Sequence, residues 1–174
     1  MATTATPSDI ARATFHGVFE ERDLDPDRYW SSRSVNHFLA TGETVRGAEE
    51  LAAWFRRLFA SVPDWSIEVE NVLDDGDRTA VVQWHGTGTF DGEPFQGIVA
   101  TGRRIDLRGV DVIRCDADGK VEENTVYYDG AEFARQVGLL PARGSSADRA
   151  MLSAFNTATR VRRSLGPQLL NARE

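Results

Sequence analysis

Residues 108–129, RGVDVIRCDADGKVEENTVYYD, decide how this chain folds. The Val- and Ile-rich first part reads as a β-strand. The Asp-Gly pair inside DADGK, set between alternating apolar residues, signals a hairpin. VEENTVYYD then reads as the returning strand. Side chains alternate faces along a strand, so Asp111 shares a face with Gly109 and Ile113, while Val110 and Val112 face the other way. On the returning strand Asn124, Val126 and Tyr128 share one face. Turned outward, Asp111 is an ordinary solvated aspartate. Turned inward, it is a desolvated carboxyl whose pKa rises into the range that suits proton transfer near neutral pH.

The same alternation extends upstream. WSIEVENVL, RTAVVQWHGTGTF and RIDLRGVDVIRC read as strands, with glycines in the second marking a bend or bulge. DGEPFQGIVATGR reads as a loop or hairpin tip. Before them the period changes. Thr6 or Ser8 can cap a helix from about Asp9 to Arg22. SRSVNHFLA and TGETVRG supply short strands. Ala48–Ser61 is an amphipathic helix with Leu51, Trp54, Phe55, Leu58 and Phe59 on one face, ended by Pro63-Asp64. AEFARQVGLL follows the last strand as a short helix, with Asp129 as its cap. Met151–Leu165 forms a final amphipathic helix whose stripe runs through Met151, Phe155, Ala158, Val161 and Leu165. Helices first and antiparallel strands after give an α+β fold, a strongly bent sheet packed on N-terminal helices with a cavity between the layers. The chain divides into a loose tail (1–7), the main domain (8–142) and a C-terminal helical extension (143–174).

Bulk properties narrow the function. At 174 residues with 41% hydrophobic content the chain makes one ordinary globular domain. A net charge of −7 lacks the basic field that nucleic acids or anionic membranes require, and Arg160, Arg162 and Arg163 are too few to supply it. Cys115 is the sole cysteine, which rules out an intrachain disulfide and fits a cytoplasmic setting. No signal-like or membrane-spanning apolar run is evident. The three histidines and one cysteine show no metal-ligand spacing, and GTGTFDG does not open a helix as a phosphate cradle would, so neither a metal nor a cofactor is expected.

Three segments together carry a family resemblance: VRGAEELAAWFRRLFASVPDWSIEVE, WHGTGTFDGEPFQGIVATGRRIDLRGVDVIR, and DGKVEENTVYYD followed by RQVGLLP. In order and local sequence the chain resembles the NTF2-like superfamily of cone-shaped α+β barrels. Within it, the chain is similar to the SnoaL-like polyketide cyclases and ester cyclases, over roughly residues 8–142. One departure is Phe90, where related sequences often carry a histidine. Asp111 to Tyr128 also resembles the ketosteroid isomerases without a gap. The resemblance implies a pocket-lining aspartate at 111, a neutral hydrogen-bond donor in those isomerases and the general acid/base in the cyclases. A looser match places His37 or Asn36 where the isomerase base stands. Phe15 falls near the isomerase tyrosine and has no hydroxyl. The limonene-epoxide-hydrolase branch uses Arg-x-Asp on this strand, where this chain has Gly109, so only Arg108 can compensate.

These readings assign catalysis to Asp111 and His37. Asn124, Tyr128, Asn36, Trp84, His85, Phe15 and Trp54 are assigned to substrate binding. Asn36 and His37 point to opposite faces of a strand, as do Trp84 and His85, so one of each pair faces the cavity. The expected activity is cofactor-independent acid/base chemistry on a small hydrophobic carbonyl compound, as cyclisation or double-bond isomerisation through an enolate, in a homodimer. The alternatives are a non-catalytic binding module for a hydrophobic ligand or protein, and an epoxide hydrolase.

Overall fold

The computed structural model describes residues 5–171, with side chains to residue 164. Helix α1 (Pro7–Phe15) starts on a capping box in which Thr6 and Asp9 satisfy each other's backbone amides. Residues 1–4 of the expected tail lie outside the described residues, whereas Thr6 and Pro7 belong to the helix start. The single helix expected to Arg22 instead passes into a π-helical turn, His16–Glu20. Both Phe15 and Phe19 remain on the inner side across that change. A short α2 (Pro26–Tyr29) leads into β1 (Trp30–Phe38) and β2 (Glu43–Arg46). Helix α3 (Ala48–Ser61) follows, then β3 (Ser66–Asp74), β4 (Thr79–Phe90), β5 (Arg103–Cys115), β6 (Val121–Tyr128) and α4 (Gly130–Gln136). Asp129 caps α4 through the amides of Ala131 and Glu132.

The six strands form one curled, unclosed sheet in the order β2-β1-β6-β5-β4-β3. All neighbours are antiparallel except β1 and β6, which run parallel. This is a mixed α+β fold, as the element order implies. β4 and β5 pair without interruption from Thr79↔Arg114 to Phe90↔Arg103. The glycines of β4 therefore mark neither a bulge nor a break; Gly86 stands on the inner face, where an added Cβ would lie 2.6 Å from the Trp65 indole. Asp64, of the Pro-Asp pair that ends α3, accepts from the amide and hydroxyl of Thr89, locking the helix end to β4.

The inner face of the sheet carries the core. On β5, Ile105, Leu107, Asp111, Ile113 and Cys115 are buried, while Val110 and Val112 are only half-buried on the outer face. Helix α5 (Ser146–Asn171) begins earlier than the periodicity suggests. Its apolar residues Met151, Leu152, Phe155 and Val161 are exposed, so the stripe packs on neither core nor cavity; the side chain of Leu165 lies outside the described residues. Among the described residues no helix is long and apolar enough to cross a membrane.

Candidate active site

Between the concave sheet and the helices lies an apolar cavity of about 890 Å³, counting its open mouth. Phe15 and Phe19 from the N-terminal helix, Trp54 and Phe55 from α3, and Phe95 and Ile98 from the β4–β5 loop form much of its wall. Aromatic rings are fixed against one another here: Phe38 stacks on Trp54 with centroids 4.0 Å apart, and Trp54 meets Phe95 edge-on at 5.5 Å. A largely apolar, concave site with few convergent polar groups is the usual form of a small-molecule site.

The polar groups gather around Asp111. Its register partners are Val82 on β4 and Val126 on β6, both buried. The carboxyl is only 6% exposed. Trp84 Nε1 donates to Oδ1 at 2.8 Å, and Asn124 Nδ2 donates to Oδ2 at 2.7 Å. Trp84 reaches Asp111 because its cross-strand partner is Gly109. The indole lies over that glycine so closely that a Cβ there would stand 2.2 Å from Cζ2. Burial pushes the Asp111 carboxyl up to about 6, with the bonds from Asn124 and Trp84 pulling in the opposite direction. The shift brings its midpoint toward neutral pH, where the ionised group can take a proton and its acid form is strong enough to return it. Tyr128, also on the cavity wall, is pushed up to about 12 by burial and by nearby Glu43, so its hydroxyl stays neutral.

A raised carboxyl also makes stability depend on pH. The folded chain holds the Asp111 proton more tightly than the unfolded chain, so stability falls as pH rises from about 4 through about 6. Moving a carboxyl from 3.8 to about 6 corresponds to about 3 kcal/mol. Asp111→Asn removes that dependence. Its unfolding free energy is expected to match wild type near pH 4 and to exceed it increasingly up to pH 7, as urea melts across that range would show.

Of the residues singled out from the sequence, Asp111, Asn124, Tyr128, Trp84, Phe15 and Trp54 line this cavity. His37 does not. It lies on the outer face of β1, with Nδ1 3.2 Å from Thr44 Oγ1 and Nε2 3.8 Å from Glu123 Oε1. Strand alternation turns Asn36 inward instead; it is 2% exposed, in register with Asn124, yet is not part of the cavity wall. His85 is likewise on the outer face, bound to Asp106 at 2.8 Å, because Trp84 takes the inward position. Arg108 projects outward and pairs with Glu70, so it cannot stand in for an arginine beside Asp111. Phe90, where relatives often carry histidine, adds only apolar wall. Among the described residues no three His, Cys, Asp or Glu side chains gather as a metal site requires.

Three contributors were not singled out from the sequence. Glu43 accepts from Trp54 Nε1 at 2.9 Å and from Gln96 Nε2 at 2.6 Å, tying α3 and the β4–β5 loop to β2. Trp65 lines the cavity beside Gly86, and its buried Nε1 has no hydrogen-bond partner among the described residues. Phe133 of α4 closes on Tyr128, with ring centroids 6.2 Å apart. The Gly-x-Gly spacing of β4 was the available signal for Trp65. No local signal exists for Glu43, whose partners are 11 and 53 residues away.

A curled sheet cupping an apolar cavity, with one buried carboxyl on its inner face, defines an NTF2-like fold of the ketosteroid-isomerase type. One solved structure with a ketosteroid isomerase-like fold, from Catenulispora acidiphila DSM 44928, superposes with a TM-score of 0.62 at 18% identity, covering 81% of this chain and 99% of that one. A family model of SnoaL-like polyketide cyclases matches residues 9–137, and the chain belongs to that family. A protein assigned as a SnoaL-like polyketide cyclase from Jannaschia sp. CCS1 is 25% identical, with a TM-score of 0.66 over 81% of this chain and 100% of that one. TsrD from Streptomyces laurentii is 26% identical, with a TM-score of 0.62 over 75% and 93%. Comparison with curated proteins finds no match.

Proposed function

We propose that the protein is an acid/base enzyme that enolises a small, largely apolar carbonyl compound without a cofactor. The observation that carries this reading is the buried Asp111 carboxyl, held by Trp84 and Asn124 inside an aromatic cavity. Ionised Asp111 removes a proton from the carbon next to a carbonyl. The C–H electron pair moves onto the carbonyl oxygen, giving an enolate. The neutral Tyr128 hydroxyl supports that oxygen as charge develops. Asp111 then returns the proton, either to a different carbon, which is isomerisation, or to an alkoxide formed by intramolecular aldol attack, which is cyclisation. Membership of the SnoaL-like family favours the second outcome. His37 has no part in this scheme, because its ring lies on the outer face.

Deuterium exchange provides the test. Bicyclic aryl ketones such as 1-tetralone, incubated with the protein in D2O, are expected to take up deuterium at the α-carbon faster than in buffer. Ligands that bind the cavity while none of them exchanges would identify a binding module instead.

A further inference from the structure

Strand β1 brings a second amide to the inner layer of the sheet. Asn36 is 2% exposed and stands in register with Asn124 on the neighbouring parallel strand β6. Each side chain holds one buried group without a hydrogen-bond partner among the described residues: Nδ2 of Asn36, a donor, and Oδ1 of Asn124, an acceptor. A buried polar group left unpaired costs about 1–3 kcal/mol, so two of opposite kind on adjoining strands call for one explanation. Neighbouring strands lie about 4.8 Å apart, and asparagines stacked in register along parallel strands form ladders in which one amide donates to the next. Closing such a rung needs only side-chain rotation, since the two Cα positions already stand opposite one another.

The direction of the rung is fixed from its far end. A carboxylate only accepts, so Asn124 must present Nδ2 to Asp111, as it does at 2.7 Å. That leaves Asn124 a carbonyl oxygen to be served and Asn36 a donor to serve it. Turning the Asn124 amide round would set its oxygen against the carboxylate and its Nδ2 against that of Asn36. Two repulsions would replace two bonds.

We propose that Asn36 is a positioning residue for Asp111: its Nδ2 donates to Asn124 Oδ1 and so keeps Asn124 Nδ2 on the carboxyl. The result is a directed chain from Asn36 through Asn124 to Asp111 Oδ2, with Trp84 on Oδ1. Its part in turnover rests on the proposed enolisation; the chain itself does not. Oδ2 accepts from Nδ2 whether or not the carboxyl is protonated, so no donor has to move as Asp111 takes a proton from substrate and returns it. A polar group set before reaction needs no reorganisation during it. The chain also opposes burial, because the bond from Asn124 holds the carboxyl below the value that desolvation alone would impose. Asn36 touches no substrate in this scheme, since it lies outside the cavity wall.

No other charged group intrudes on this chain. Asp111 and Tyr128 are the only titratable residues on the cavity wall. From β1, Arg33 is exposed and His37 points outward to Thr44 and Glu123. From β2, Glu43 is engaged by Trp54 and Gln96, and Arg46 is exposed. From β4, His85 points outward to Asp106. From β6, Glu122 pairs with Arg78 and Glu123 with Arg114. From α1, Asp9 is engaged at the helix cap and Arg12 is exposed; His16, just beyond it, pairs with Glu20. From α3, Glu49, Glu50, Arg56 and Arg57 are exposed.

The test begins without substrate. In ligand-free protein isotopically labelled at Asp and Asn, NMR is expected to show a scalar coupling across the hydrogen bond, between Asn36 Nδ2 and Asn124 Cγ. Asn36→Leu removes the donor, so Asn124 Cγ is expected to move upfield. The Asp111 carboxyl midpoint is expected to rise by roughly half to one pH unit, a threefold to tenfold tighter hold on the proton. The pH profile of 1-tetralone exchange is expected to move up with it, which a merely structural loss at Asn36 would not cause. Ser34→Ala removes the other buried group on β1 that lacks a partner and is expected to leave Asn124 and Asp111 unchanged. No coupling in wild type would overturn the proposal, as would unmoved Asn124 and Asp111 signals in folded Asn36→Leu. Coupling together with unimpaired exchange in Asp111→Asn would sustain the chain and remove the enolisation reading. The wild-type coupling decides the matter even if Asn36→Leu does not fold.

Discussion

Asp111→Asn is expected to lose α-carbon exchange by about 10²- to 10⁴-fold, the usual contribution of a positioned acid/base group, while remaining folded. The substitution keeps the side chain's size and leaves groups that can bond Trp84 and Asn124. It also removes the cost of ionising a carboxyl in an apolar wall, so the variant is more stable than wild type at pH 7. Lost activity accompanied by gained stability is hard to explain by damage to the fold. Exchange rates and urea melts on the same preparation check both halves. An Asp111→Asn protein that exchanges at the wild-type rate would remove the carboxyl from the chemistry.

The second large effect lies at Gly109. A methyl group there would stand 2.2 Å from Trp84 Cζ2 and 2.6 Å from its Cη2, well inside contact distance. Because the glycine is on β5 directly opposite Trp84, backbone and indole must separate. Gly109→Ala is expected to cost about 1–3 kcal/mol, as overpacking of a close-packed core does. Displacement of the indole also removes the Nε1 bond to Oδ1, which holds the Asp111 carboxyl down, so its midpoint rises further above about 6. Unfolding curves and a carboxyl titration of the variant measure these effects. Unchanged stability with an unchanged midpoint would show that the indole does not depend on the glycine. The same crowding accounts for the absence of an Arg-x-Asp pair on this strand: while Trp84 lies across position 109, an arginine has no room there.

How far the sequence reaches can be judged strand by strand. Asp111 shares its face with Ile113, and period-two alternation carries that face to Asn124, Val126 and Tyr128 on the next strand. Alternation made the faces of each strand legible, but their matching depends on a register shift beside the turn, between Arg114 and Cys115, which sets Ile113 opposite Asn124 and Asp111 opposite Val126; the resemblance to the isomerases, not the hairpin pattern, pointed to that pairing. The β1 positions were harder to read. Alternation established that Asn36 and His37 oppose each other, but not which is inward. That is set by Phe38, which must bury against Trp54, and this contact spans 16 residues of chain. His85 was undecided for the same reason until the Trp84 indole found its seat on Gly109. The glycines of β4 looked like bend signals because glycine weakens a strand locally. Gly86 and Gly88 instead reflect the close approach of Trp65, a tertiary demand whose partner the strand's own sequence does not name. The final helix was legible as a helix, but its apolar stripe gave no indication that Phe155 would be 67% exposed.

The central claim is that Asp111 carries an exchangeable proton inside the cavity, and the carboxyl carbon of Asp111, followed by NMR against pH in wild-type protein, tests it most directly. A midpoint near 6 is predicted, because burial outweighs the two hydrogen bonds that favour the charged form. A midpoint at the ordinary aspartate value near 4, or below it, would contradict the account, since it would mean a solvated or fully compensated carboxylate with no reason to hold a proton at neutral pH.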